Sequence, residues 1–122
     1  LQEKASKVGF DWEKKEDVWK KVIEEIEEMH EIEKVKLQSE KAKSDDEIYN
    51  QLENEIGDVF FAMVNYARFL DVNPENALRR TNSKFIRRFS YVEEKIKAMG
   101  KKLSDSNLKE MDFYWEESKN KI

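Results

Sequence analysis

The sequence predicts an all-α protein, an antiparallel bundle of long helices, and three observations point there. Charged residues make up 41% of the 122 and hydrophobic residues 39%, with three Gly and one Pro, a balance that suits solvated helices and leaves few turn formers for a sheet. Apolar residues recur at three- and four-residue intervals, and no stretch alternates with the period of two that a strand requires. Helix-stop and helix-start residues separate the periodic runs. The length bounds the chain to one domain. A core drawn from this apolar fraction is thin for a lone subunit, so a four-helix core completed in a homodimer is expected.

Residues 1–12 read as a linker tail and entry segment, with Gly9-Phe10-Asp11-Trp12 as a turn carrying two aromatics onto the helices, and residues 13–122 as the domain proper. A first long helix is expected from about Glu13 to about Lys41, apolar-periodic to Val35 and Leu37 and then polar. Ser44-Asp45-Asp46-Glu47 fits the capping box, in which Ser and Glu satisfy orphan N–H groups, so a second helix starts near Asp45 and runs to about Leu70. Asp71-Val72-Asn73-Pro74 breaks the chain, with Asn73 as N-cap and Pro74 at the first position of a third helix that ends at Met99 before Gly100. Ser104-Asp105-Ser106-Asn107 caps a last helix from about Leu108 to Lys119.

The net charge of −4 argues against a general nucleic-acid binder, although basic residues cluster between Arg79 and Arg88. Without cysteine there is neither a disulfide framework nor a thiolate metal site, and a cytoplasmic location is expected. No apolar run approaches the roughly 20 residues that span a bilayer, so no membrane is expected as a partner.

Four acidic residues stand out by position. At about 100° per residue, Val18, Val22, Ile26, Met29 and Ile32 form one stripe, and Glu25 falls inside it with Glu28 at its edge. Ile48, Leu52, Ile56, Val59, Met63, Tyr66 and Leu70 form another, with Glu55 inside and Asp58 at the margin. Unpaired carboxylates in an apolar interface cost several kcal/mol each, so cations, water or raised pKa values must accompany them. Hard oxygen ligands in two such pairs suggest bound Mg²⁺, with Mn²⁺ as a substitute. Gly57 is poor in a helix interior by about 1 kcal/mol and is expected either to admit a close backbone or to be an ordinary packing glycine. Downstream, Lys84 and Arg88 share a face and could grip phosphates, flanked by Phe85 and Phe89 as expected core anchors. Trp115 and Lys119 share a face of the last helix, and Asn65 lies seven residues after Asp58 on the same side. Trp12 and Trp115 are aromatics on which any base could stack.

Gly9-Phe10-Asp11-Trp12, Glu24-Glu25-Ile26-Glu27-Glu28 and Glu55-Ile56-Gly57-Asp58 are followed by Asn65-Tyr66-Ala67-Arg68 and by residues 82–89, Asn-Ser-Lys-Phe-Ile-Arg-Arg-Phe. Together they resemble the MazG nucleoside triphosphate pyrophosphohydrolases, including the EExxE and ExxD acidic motifs. Within that family the chain looks like the C-terminal catalytic domain of the two-domain type, with Leu1-Gln2-Glu3-Lys4-Ala5 as the tail of a linker from an N-terminal MazG domain.

The resemblance implies an all-α homodimer and Mg²⁺-dependent hydrolysis of the α–β phosphate bond of NTPs and dNTPs, giving the monophosphate and pyrophosphate. It implies metal binding by Glu25, Glu28, Glu55 and Asp58, and nucleotide binding or turnover by Lys84, Arg88, Trp115 and Lys119. The stretch from Lys36 to Glu47 looks like an insertion relative to compact members. Glu24 or Glu28 is the carboxylate expected to accept a proton from the attacking water, with Lys84 and Arg88 stabilising developing charge. A carboxylate-bridged di-iron bundle is disfavoured, because it needs two Glu-x-x-His motifs and the chain has a single His, His30. The alternative class is a non-catalytic helical interaction module whose acids are only surface charge, which leaves the stripe-embedded carboxylates unexplained.

Overall fold

The computed structural model describes residues 1–38 and 45–121. Its helices are α1 (Gln2–Lys7), α2 (Lys15–Gln38), α3 (Asp45–Phe69), α4 (Pro74–Ala98) and α5 (Leu108–Lys121), with a 3₁₀ turn at Leu103–Asp105 before α5. No strand occurs among the described residues, as the missing period of two requires. Ser44 of the expected capping box, and the last residues of the expected polar tail, lie outside the described residues.

Helix ends follow the local chemistry. Beyond α4, Gly100 takes φ +77°, with Gly100 N–H donating to Lys97 O at 2.9 Å and Lys101 N–H to Ile96 O at 3.4 Å. This is the Schellman closure that Gly favours because it lacks a Cβ. The same pair of bonds closes α1 around Gly9, at φ +90°, and α3 around Asp71, a non-glycine at φ +59°. Pro74 opens α4 as its first residue, and Asn107 caps α5 by accepting from Glu110 N–H at 2.9 Å.

The chain packs as two compact units, Leu1–Pro74 and Glu75–Ile122. In the first, α2 and α3 pack on each other as a hairpin. Val18 and Val22 of α2 and Ile48 and Ala62 of α3 are buried, and the rings of Trp19 and Tyr66 meet at 5.2 Å. Fully burying a residue such as Val22 stabilises by about 1.5–3 kcal/mol. Half of the entry segment is helical, as α1, and Gln2 Nε2 donates to Phe61 O of α3 at 2.9 Å.

In the second unit Val92, Ile96 and Ser118 are buried. Ser118 Oγ is satisfied by donating to Trp115 O of its own helix at 2.6 Å. Tyr91 Oη of α4 donates to Glu117 Oε2 of α5 at 2.9 Å.

Some expected core positions are exposed. Ile26, Ile56, Met63 and Leu70 are each more than a third exposed, because a stripe that wide needs more cover than one partner helix gives. Phe85, expected as a core anchor, is 56% exposed; it stacks instead on Phe89 at 5.9 Å and meets Trp115 at 5.3 Å. Around Gly57 a Cβ would meet nothing within 4 Å, so no close backbone approach occurs there among the described residues. No helix among the described residues is long and apolar enough to cross a membrane.

Candidate functional site

Helix α2 carries Glu25 and Glu28 one turn apart, and α3 brings Glu55 against them. One oxygen from each of the three lies within 4.8 Å of the others. Glu25 is buried, 7% exposed, Glu55 is half-buried and Glu28 is exposed. The amphipathic packing that buries Val18 and Val22 also carries Glu25 inside, because it lies on the same stripe.

The electrostatics of this group are incompletely resolved by the protein itself. Lys21, one turn before Glu25, places Nζ 2.8 Å from Glu25 Oε1 and 3.5 Å from Glu24 Oε1. Glu25 Oε2 and Glu55 Oε2 are buried atoms without a hydrogen-bond partner. Such atoms call for an explanation, since buried carboxylate oxygens are normally paired. The negative charge of Glu25, then burial, then Glu55 and Glu24 raise the Glu28 carboxyl above its ordinary value, with Lys21 opposing. Bonding to Glu25 raises the Lys21 ammonium in turn. Three carboxylates close together on two helices, two of them with an unpaired buried oxygen, suit a hard divalent cation.

Asp58 is not one of this trio. It is exposed on α3 and lines a shallow groove with Asn50, Glu53, Asn54 and Gly57. Glu24 is exposed beside Lys21.

Asn65 is buried, with Arg68 donating to its Oδ1 from Nε at 3.3 Å and Nη2 at 2.8 Å. Arg68 also grips Asp11 through Nη1–Oδ2 at 3.1 Å and Nη2–Oδ1 at 2.6 Å. That bidentate pair, helped by Ser6 and the Trp12 N–H, holds the Asp11 carboxyl down at about 2. Trp12, 43% exposed, lines a cavity with Phe10, Phe61, Asn65 and Arg68.

In the second unit the two expected phosphate-binding cations take different settings. Lys84 lines an exposed groove with Arg79, Arg80 and Arg87. Arg88 lies over the Trp115 ring at 5.9 Å, a cation–π arrangement that fixes both. Lys119 is exposed and paired with Glu116 at 3.0 Å. His30 Nδ1 lies 3.2 Å from Glu33 Oε2, within hydrogen-bond distance, and outside the carboxylate trio.

Lys21 and the Asp11–Arg68 pair carry weight in the structure that the sequence reading did not assign. The i,i+4 spacing of Lys21 to Glu25 was a usable signal for the first. The second joins residues 57 apart and has no local signature.

The fold and the trio define a class: an all-α protein with a carboxylate group suited to a hard cation on a helical hairpin. A family model described as the MazG nucleotide pyrophosphohydrolase domain matches residues 13–93, and the chain belongs to that family. It is 40% identical, over 98% of its length, to the nucleoside triphosphate pyrophosphohydrolase/pyrophosphatase MazG of Thermotoga maritima, covering 41% of that protein. It is 38% identical over 98% of its length to the nucleoside triphosphate pyrophosphohydrolase of Escherichia coli K12, covering 42% of it. It is also 51% identical, over 57% of its length, to the uncharacterized protein YabN of Bacillus subtilis, covering 14% of that chain. The chain thus spans less than half the length of each of these curated relatives.

Proposed function

We propose that this chain hydrolyses nucleoside triphosphates, ribo- and deoxyribo-, at the α–β bond, with Mg²⁺ as cofactor and Mn²⁺ able to replace it. The observation that carries this reading is the pair of orphaned buried oxygens, Glu25 Oε2 and Glu55 Oε2, beside Glu28. Membership of the family supplies the substrate class.

Glu25, Glu28 and Glu55, with Asp58 of the same acidic motif, would hold the cation. Bound there, a divalent ion would neutralise phosphate charge and lower the pKa of the attacking water. Water oxygen forms a bond to the α-phosphorus as the bond from that phosphorus to the bridging oxygen breaks, and pyrophosphate leaves with the electron pair. Glu28 or Glu24 accepts the proton that water loses. Lys84 and Arg88 bind phosphate oxygens and stabilise the leaving charge, and Lys119 adds a third cation. Trp115, held under Arg88, and Trp12 offer faces for the base, and Asn65 a polar contact.

The exposed apolar residues of α2 and α3, among them Ile26, Ile56, Phe60, Phe61 and Met63, support a homodimer in which a second copy completes the four-helix core. An N-terminal MazG domain preceding this chain, and a cytoplasmic setting, belong to the same reading.

Pyrophosphate release from a panel of NTPs and dNTPs with Mg²⁺ tests the proposal. Turnover that disappears in Glu28→Ala and Asp58→Ala, with the dimer retained, supports it. Unchanged turnover in those variants sinks the site assignment, and no turnover with any nucleotide favours the interaction module.

A further inference from the structure

Lys21 sits one turn before Glu25 on α2, and its Nζ lies 2.8 Å from Glu25 Oε1. Two features set this contact apart from the other helical lysine–glutamate pairs of the described residues. Glu31–Lys34, Glu116–Lys119 and Glu117–Lys121 all run with Glu first, the more stabilising order on a helix. Lys21–Glu25 runs the other way, so pairing along the helix surface does not account for it. The second feature is burial: the Glu25 side chain is 9% exposed, against 71%, 58% and 32% for those three glutamates.

The contact also divides the carboxylate. Lys21 takes Oε1, while Oε2 is buried and has no hydrogen-bond partner. The terminal torsion of a glutamate is broad and roughly two-fold, so without a hold on one oxygen the group turns easily. With Oε1 held, Glu25 offers a cation a single oxygen in a settled direction. The same ammonium reaches Glu24 Oε1 at 3.5 Å, which steadies the lysine itself from a second side. Glu55 supplies the other buried unpaired oxygen, and one oxygen from each of Glu25, Glu28 and Glu55 lies within 4.8 Å of the others.

We infer that Lys21 is a positioning residue of the carboxylate trio: by holding Glu25 Oε1 it reserves Oε2 for a divalent cation, and so strengthens binding of an ion that its own charge repels. The inference rests on the metal-binding reading above. Groups that hold a ligating carboxylate in this way are typically worth 10- to 100-fold in metal affinity. Charge alone gives the opposite sign, since removing an ammonium beside the trio would draw a divalent ion more tightly. Lys21 is 38% exposed, so water screens its repulsion of the ion more than it weakens the direct contact with a buried oxygen. Orientation and charge therefore part on the direction of one measurement.

Mn²⁺, whose free ion gives an electron paramagnetic resonance signal, is titrated into the intact chain without nucleotide. Lys21→Met keeps the apolar stem and removes the ammonium; it is expected to bind Mn²⁺ roughly 10- to 100-fold more weakly than the parent chain. The chain has no cysteine, so Lys21→Cys can be aminoethylated at that position alone, which rebuilds an ammonium of lysine length and is expected to restore most of the lost affinity. Circular dichroism in EDTA establishes that each variant is folded. Equal or tighter binding by folded Lys21→Met, with the parent binding normally, overturns the inference and leaves the metal site standing. A parent chain that binds no Mn²⁺ overturns both. Should the variants not fold, the parent decides: the nitrogen resonance of the Lys21 ammonium is expected to keep its ion-paired position when Mg²⁺ is added, and a move to the position of a free lysine overturns the inference.

Discussion

Glu25 of α2 and Glu55 of α3 face each other across the helical hairpin, each with an Oε2 atom that is buried and unpaired. Lys21 neutralises one side of Glu25 only. Two like charges at this separation oppose folding until a cation joins them.

Removing one of the charges is therefore expected to stabilise the metal-free protein. Glu55→Gln should raise its stability by on the order of 1–3 kcal/mol, from the Coulomb repulsion relieved near a protein surface. The same variant should lose the rise in melting temperature that Mg²⁺ is expected to give the parent chain. Thermal melts with EDTA and with Mg²⁺ check both halves.

Glu28 gives the metal-free protein a pH dependence of defined sign. Its carboxyl is raised above the ordinary value of 4.5, first by the charge of Glu25. A raised folded-state value means that the folded state binds the proton more tightly. The stabilising contribution is thus fully present below the unfolded value and lost as pH rises through the folded one. Urea midpoints in EDTA should fall over that interval, Glu28→Gln should flatten the fall, and a parent curve without it would refute this assignment.

Asp11 behaves in the opposite sense. Its carboxyl is lowered from 3.8 to about 2, with Arg68 the leading cause, so its contribution is present above 3.8 and lost as pH falls toward 2. Hydrogen exchange in α1 and the entry turn should accelerate across that window ahead of the rest of the hairpin. Asp11→Asn should show the faster exchange at neutral pH.

The three Schellman closures are not equivalent. Asp71 holds φ +59° with a side chain, whereas Gly9 and Gly100 hold theirs without one. Asp71→Gly is expected to stabilise by about 0.5–1 kcal/mol and Gly100→Ala to destabilise by about 1–2 kcal/mol. Melting temperatures should move in opposite directions.

Gly57 separates what happens within the chain from what happens between copies. A methyl there meets nothing within 4 Å, so helix propensity alone makes Gly57→Ala stabilising by about 1 kcal/mol. A loss of stability, together with a shift to monomer in sedimentation, would show that a second copy packs on this face of α3.

Helical periodicity made much of this legible in the sequence. The stripe through Val18 and Val22 places Glu25 inside, and Glu25 is buried; Gly100 ends α4 as its conformational freedom requires. The periods said less about which part of a wide stripe a single neighbour covers, so Ile26 and Ile56 were expected inward and are exposed. Helix α1, six residues long, is too short for a periodic signal, and its hold on α3 comes from Gln2 and from Asp11–Arg68, contacts nearly 60 residues apart in the chain. Asp58 was grouped with the other acids by spacing. Spacing fixes a shared helix face for Glu55 and Asp58, but not the packing of the hairpin that brings Glu55 against Glu25 and Glu28.

The graded burial of the three carboxylates has a kinetic meaning. Glu28 stands at the solvent side of Glu25 and Glu55, so a hydrated ion bound by the trio would meet it first and shed its remaining water to reach the inner pair. On the proposed reading Glu28 would govern how quickly an ion arrives and departs, and Glu25 and Glu55 how tightly it is kept. Shortening Glu28 to Asp should then alter exchange rates more than equilibrium occupancy, a separation that stopped-flow chelation can read.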